Sequence, residues 1–501
     1  MGTKNRSGGG AKANVGTKMM NKLRRFLFHH TSTSQTIIKN TFWLSASQLI
    51  RKIIKLAITV YAARILGVEG YGVFAYAVGL AGFFTIFSDI GISGLLIRNS
   101  SAENEIKPEH ISTSLYIKLT LLGLSALLIF YVAPFFSNIQ EAIPLLSVIA
   151  ILILLDGLRD FSVTILRINE RMELEAAIDT FTNIVTLALG TFAILAYRSP
   201  LSLAIAFTVA SGFGLALSSL LLRKYLSGIW SHFNKQLARK LLADAWPFAI
   251  TILFGAVMMN TDILMLGWLK GATAVGLYSA AIKPVQAIYL ISGILAISTL
   301  PKISKFARQN SEKVGALVEK SISSLLLIGI PLTIGGLVVG EEIIAALYGA
   351  DYLGAVLTFQ IILLTVLVAF PMSMMSNLIL SYDMQRKFLA PLATAAASDV
   401  VLNAMLIPKF DIVGAAITTL VTQALAITIA IRMMKKVSPF TIFPHLKKIL
   451  LATIIMATLT ITMKLFSFNF AINIVVSASI YFTLLKILKE PLLRQIRAGV
   501  K

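Results

Sequence analysis

Fourteen apolar runs, each 20 to 27 residues long, recur along the chain with short polar breaks between them. They cover roughly 41–66, 72–97, 111–136, 142–166, 174–197, 200–223, 243–268, 273–299, 317–340, 355–381, 388–407, 412–432, 447–466 and 469–488. A helix rises 1.5 Å per residue, so about 20 residues cross the ~30 Å hydrocarbon layer of a bilayer. Lipid offers no partner for backbone N–H and C=O groups, which makes each run a helix. Only 14% of residues are charged, against roughly 25% in soluble domains. The expected fold is an all-α polytopic membrane protein of about 14 transmembrane helices.

Charge orients the spans. Of 45 Lys and Arg residues, 34 lie in the N-terminal tail, at the exits of the even-numbered runs or in the C-terminal tail. The opposite loops hold Arg64, Arg198, Lys270, Lys409 and Lys464. Lysine and arginine collect on the cytoplasmic side, so both termini are expected there, in a cytoplasmic membrane. The net charge of +22 then reflects loop placement and does not point to nucleic acid as a partner. With no cysteine and five scattered histidines, thiol chemistry and metal sites are not expected, and no cofactor is. No glycine-rich phosphate loop or inserted soluble domain offers a nucleotide site.

The loops also repeat. ILGVEGYGVFAYA (65–77) parallels MLGWLKGATAVGLYSAA (265–281), pairing Gly67 with Gly267 and Gly72 with Gly276. ERMELEAAIDTFTNIVTLAL (170–189) parallels MQRKFLAPLATAAASDVVLN (384–403) at a similar offset. Two six-helix units in the same orientation are expected, related by an axis along the membrane normal. The divisions are a disordered basic tail (1–36), a first lobe (37–225), a cytoplasmic linker (226–242), a second lobe (243–436) and two final spans with a tail (437–501).

On ARILGVEGYGVFAYA (63–77), FSDIGI (87–92), TDILMLG (261–267) and VGLYSAA (275–281), the chain resembles the polysaccharide-transporter branch of the multidrug/oligosaccharidyl-lipid/polysaccharide exporter superfamily, the O-antigen-type lipid-linked oligosaccharide flippases. The resemblance implies two six-helix lobes around a central cavity that opens alternately to each side, with two further helices beside the second lobe. It also implies a polyprenyl-diphosphate-linked glycan as substrate, and a monomer working beside glycan polymerase or ligase machinery.

Charges within the runs give an independent reading. Arg51, Lys52 and Lys55 fall near mid-span in QLIRKIIKLAI (48–58) with no acidic residue among them. A charge at that depth costs at least ~2.5 kcal/mol on insertion scales. Ser45, Gln48, Lys52, Lys55 and Thr59 recur at spacings of three and four, which draws a polar stripe along one helix face. Arg159 and Lys283 are further cations inside runs, and Asp156, Asp160, Asp179, Asp262 and Asp399 are carboxylates inside them. One reading is a wet cavity in which Arg51, Lys52, Lys55, Arg159 and Lys283 bind a diphosphate, arginine by its planar fork and lysine as a point charge. The other is internal pairing, which fits Arg159 well because Asp156 and Asp160 are local. Lys118 reads as an interfacial lysine. Lys283 stands before Pro284 in a helix expected to bend.

Asp89, Asp156, Asp160 and Asp262 are candidates for gating or coupling, with Asp89 expected to cap a helix end or to latch the inner gate to Arg98. Three functions are therefore weighed. The first is a flippase of lipid-linked oligosaccharide. The second is a proton- or sodium-coupled exporter of small molecules, to which embedded carboxylates would be suited. The third is a membrane glycosyltransferase or polymerase, for which the loops supply neither large domains nor catalytic constellations. The sign of the triplet favours an anionic cargo, because the same field repels lipophilic cations.

Overall fold

The computed structural model describes residues 33–103, 107–226, 230–307, 309, 311–441 and 446–492, and among them every regular element is helical. Most of the expected tail, residues 1–32, lies outside these, while 33–36 already belong to the first helix. The long helices are α1 (Thr33–Phe84), α2 (Ile92–Glu103), α3 (Pro108–Leu127), α4 (Ile143–Ile168), α5 (Met172–Tyr197), α6 (Pro200–Leu226), α7 (Lys235–Lys270), α8 (Ala272–Ala307) and α9 (Ser311–Val338). They are followed by α10 (Gly340–Tyr348), α11 (Val356–Leu364), α12 (Val366–Ser381), α13 (Gln385–Lys435), α14 (Leu446–Leu465) and α15 (Phe470–Ile487).

Among the described residues twelve helices are long and apolar enough to cross a bilayer. Two of these hold two expected runs each. Helix α1 contains 52 residues, about 78 Å if straight, and α13 contains 51. Each is broken in the middle, α1 at Gly67 (φ 71°, ψ 177°) and α13 at Asp411 (φ 54°, ψ −136°). Gly67 adopts this backbone freely because it has no Cβ.

Three expected boundaries move. The second run does not continue to residue 97, because α1 ends at Phe84 in a 3₁₀ turn, Thr85–Ser88, and α2 starts afresh at Ile92. The side chain of Asp89 stabilises that break, accepting from Gly91 N at 2.8 Å and Ser93 Oγ at 2.5 Å. The linker is also partly helical: Asn234 caps α7 by accepting from Gln236 N at 2.9 Å and Leu237 N at 3.1 Å, so the helix begins at Lys235. Finally, α8 runs unbroken through Pro284 and Pro301.

The segments paired by the repeat meet face to face. A Cβ on Gly72 would lie 1.9 Å from the Ala272 carbonyl oxygen, and one on Gly276 would lie 2.0 Å from that of Val68. The relation is reciprocal, as in two copies of one unit packed about an axis. Small residues permit this close backbone approach. Nearby, Gly267 lies flat against the ring of Tyr76, and Gly79 against Ile263. Around this joint, Arg64 Nε donates to Leu347 O at 2.6 Å, and its Nη2 donates to Ala346 O. Tyr352 Oη donates to Ala63 O at 2.8 Å. Helix α10 thus meets α1 through its C-terminal carbonyls, where a cation complements the helix dipole. Its other end is held by Lys464 of α14, 2.9 Å from Glu342.

Candidate functional site

The first half of the chain concentrates charge where α1, α4 and α5 pack together. Arg51 donates from Nη2 to Gln48 Oε1 at 2.5 Å, and its Nη1 lies 3.9 Å from Asp179 Oδ2 on α5. No acidic residue is local to the triplet, but Arg51 finds a carboxylate on another helix. Lys52 follows Arg51 directly, and Lys55 stands one turn on. Among the described residues no carboxylate lies within 4.0 Å of either lysine. The Lys55 side chain is exposed, and the charges acting on it are Asp156, Arg51, Arg159 and Lys52. From the second half, Lys283 of α8 has Lys55 as its charged neighbour and donates to Gln286 Oε1 at 3.3 Å. Helices α1 and α8 pack along each other, so four of the five expected cations, the triplet on α1 and Lys283 on α8, stand on neighbouring helices. Of the three on α1 it is Lys55 whose charge acts on Lys283.

Arg159, the fifth, is paired. It lies 2.9 Å from Asp156 Oδ1 and 3.5 Å from Asp160 Oδ1, and only 13% of its side chain is accessible. Ser211 on α6 donates to the same Asp156 oxygen. Asp156 and Asp160 themselves are 41% and 67% exposed, so they border open space while fixing the arginine behind them. About two turns further along α4, Arg167 grips Glu175 bidentately at 2.5 to 3.1 Å, with Glu175 only 1% exposed.

Asp89 does not pair with Arg98. Its Oδ2 lies 2.8 Å from Lys118 Nζ, and Lys118 is 3% exposed, so it is no interfacial lysine. The packing that buries it comes from α3 against the turn after α1. A buried ammonium needs a carboxylate or it would not stay charged.

Asp262 sits apart from all of these, buried in the second half. It accepts from Asn403 Nδ2 at 2.7 Å, from Thr419 Oγ1 at 2.8 Å and from Tyr278 Oη. Asp399 shares Asn403 at 3.4 Å and takes Thr422 Oγ1 at 3.3 Å. Asn403 Oδ1 is buried among them with no hydrogen-bond partner. Tyr278→Phe deletes one charge-assisted bond while keeping the ring. It should lower stability by about 1–2 kcal/mol with export retained, as read by thermal unfolding of the purified protein beside a surface-glycan assay.

Sequence reasoning named neither Asp179 nor Asp399 as a site residue. A signal was present in both cases. Glu175, Asp179 and Asn183 recur every fourth residue on α5, and Asp399 and Asn403 do so on α13, so each set lines one helix face.

Comparison with known proteins gives the family. A family model described as polysaccharide biosynthesis protein matches residues 37–307. A putative O-antigen transporter of Shigella flexneri is 24% identical over 335 residues, covering 63% of this chain and 78% of that one. A probable flippase of Haloferax volcanii, AglR, is 24% identical over 402 residues, covering 76% and 79%. Among solved structures, lipid II flippase MurJ in an inward closed conformation aligns over 90% of this chain and 99% of its own, with TM-score 0.74 and 19% identity. A multidrug resistance MATE family transporter in an inward-facing conformation aligns over 77% and 95%, with TM-score 0.60 and 13% identity. At those identities the structures speak for the fold, and the family model, matching more than half the chain, speaks for descent. The chain belongs to the polysaccharide biosynthesis protein family, in the polysaccharide-transporter branch of the multidrug/oligosaccharidyl-lipid/polysaccharide exporter superfamily.

Proposed function

We propose that this protein is a flippase that carries a polyprenyl-diphosphate-linked oligosaccharide across the cytoplasmic membrane by alternating access, for assembly of a surface polysaccharide. The observation that carries the reading is that Arg51, Lys52 and Lys55 stand together on α1, which packs along α8, the helix that carries Lys283. Cations held together at low effective dielectric repel one another, and a multivalent anion relieves that repulsion. A diphosphate is such an anion, and its prenyl tail stays in lipid while the sugars occupy the space between the halves. The relatives named as O-antigen transporter and flippase support the same reading. In it, α1 and α13 each cross the membrane twice, giving fourteen crossings with both termini in the cytoplasm. The transporter works as a monomer beside the polymerase or ligase that receives its cargo.

A second reading, a proton- or sodium-coupled exporter of small molecules, is favoured by the buried Asp262 and Asp399 sharing Asn403. One experiment separates the two. The purified full-length protein should bind a prenyl-diphosphate glycan, and binding should weaken markedly between about 0.1 M and about 1 M salt, where the screening length falls from ~10 to ~3 Å. The same glycan without its diphosphate should bind poorly. No binding of the diphosphate, together with resistance to cationic drugs on expression, would establish the second reading instead.

A further inference from the structure

Two arginine–carboxylate pairs stand on the α4–α5 side of the molecule and differ in kind. Arg167 and Glu175 form three hydrogen bonds between 2.5 and 3.1 Å with the carboxylate fully enclosed. That pair is a strut, because removing the arginine leaves an enclosed carboxylate without its partner. Arg51 and Asp179 are 3.9 Å apart, beyond hydrogen-bond reach, so they hold each other by Coulomb attraction alone. Among the described residues no donor bonds the Asp179 carboxylate, although it is only 7% exposed. The Arg51 side chain, in contrast, is 39% accessible. It is steadied from its own helix by the neutral Gln48, which leaves most of its five N–H donors free. A carboxylate sits behind the arginine, and open space lies in front of it.

We infer that Asp179 is a positioning residue for transport, an exchangeable counter-ion that holds Arg51 when the cavity is empty and takes it back when the cargo leaves. This rests on the proposed diphosphate-binding role of Arg51. On entry of the diphosphate, the guanidinium turns from a loose contact to a close, bidentate one, keeping Gln48 as its pivot. Asp179 then keeps Arg159 and Arg167 as its remaining cationic neighbours, against the like charge of Glu175. On release, Asp179 competes with the departing phosphate for Arg51 and hastens its exit. A residue in this role weakens binding and speeds turnover, whereas a merely structural one supports both.

The test uses full-length protein in lipid nanodiscs with farnesyl diphosphate as the probe, beside surface-polysaccharide export in cells. Asp179→Asn should bind the probe more tightly than wild type, by roughly fivefold or more, while export slows. Asp179→Glu should restore wild-type affinity and export. Because Asp179 acts through Arg51, Arg51→Gln and the Arg51→Gln/Asp179→Asn double variant should bind alike. Unchanged or weaker binding by Asp179→Asn, or unequal binding by the last two, overturns the inference while leaving the flippase reading intact. If Asp179→Asn does not fold, Asp179→Glu against wild type and the comparison of Arg51→Gln with Arg51→Gln/Asp179→Glu decide it in the same way. Failure of wild type to bind any prenyl diphosphate overturns the flippase reading, and the inference with it.

Discussion

Gly72→Val should abolish export and remove most of the folded protein from the membrane. The valine Cβ alone would lie 1.9 Å from the Ala272 carbonyl oxygen and 2.7 Å from its carbonyl carbon. Both atoms are backbone, so no rotamer change relieves the overlap. Inserting extra carbon into a packed interior usually costs about 1–3 kcal/mol when side chains can yield. Here whole helices must separate, and α1 parting from α8 also draws Tyr352 from Ala63 and Arg64 from α10. The loss should therefore exceed that range. Gly276→Val should behave alike, since its Cβ would lie 2.0 Å from Val68 O. The control is Gly94→Ala on α2, where nothing lies within 4 Å of the added carbon. It should express and export normally, because alanine is the better helix former by about 1 kcal/mol. Membrane abundance and glycan export, measured together, distinguish the three variants.

The double variant Lys52→Ala/Lys55→Ala should lose export by at least tenfold at an unchanged amount of folded protein. Two observations set this direction. Neither lysine has a carboxylate partner among the described residues, so removing them strands no opposite charge, and relief of repulsion with Arg51 offsets any lost packing. Each lysine removed also takes a unit charge from the face presented to the diphosphate. At ~4 Å and an effective dielectric near 20 a unit pair interacts by about 4 kcal/mol, while tenfold in affinity needs only ~1.4 kcal/mol. Arg51→Lys keeps charge and loses the fork, so a loss close to that of Arg51→Ala would mark bidentate recognition of phosphate oxygens. Normal export by the double variant, in a strain lacking its own copy, would remove these residues from the site.

The helices were legible because lipid leaves the backbone one solution. Run 41–66 and most of run 72–97 read correctly as helix, and the break expected between them falls at Gly67. The pairing of Gly72 with Gly276 was legible as a repeat, whereas the contact of each with the other segment's backbone is seen only once α1 and α8 are packed. The second run failed at its end: hydropathy continues past Asp89, but the carboxylate bonds its own Gly91 and Ser93 and stops the helix. Hydropathy does not register such a local competition. The ion pairs were legible only where they are local, as Arg159 is to Asp156. Arg51 finds Asp179, and Lys118 finds Asp89, through the rotation of one helix against another. That rotation is fixed by packing over whole faces and has no signature at the charged residues themselves.

Helix α10 is gripped at both ends by different parts of the chain, by Lys464 at its first turn and by Arg64 at its last carbonyls. In a rocking transporter this makes it a toggle arm. The glycine joint beside it contains no directional bond and works as a bearing, free to rotate at little cost. The resistance to opening on this face then falls on a catch of hydrogen bonds around the joint, those of Arg64 to the end of α10 and that of Tyr352 to Ala63. Because α14 holds the far end of the same arm, releasing the catch frees the second half together with its appended helices as one swinging body. The force needed to start the cycle is thus set by Arg64 and Tyr352, while the axis it turns about is set by the absence of two side chains.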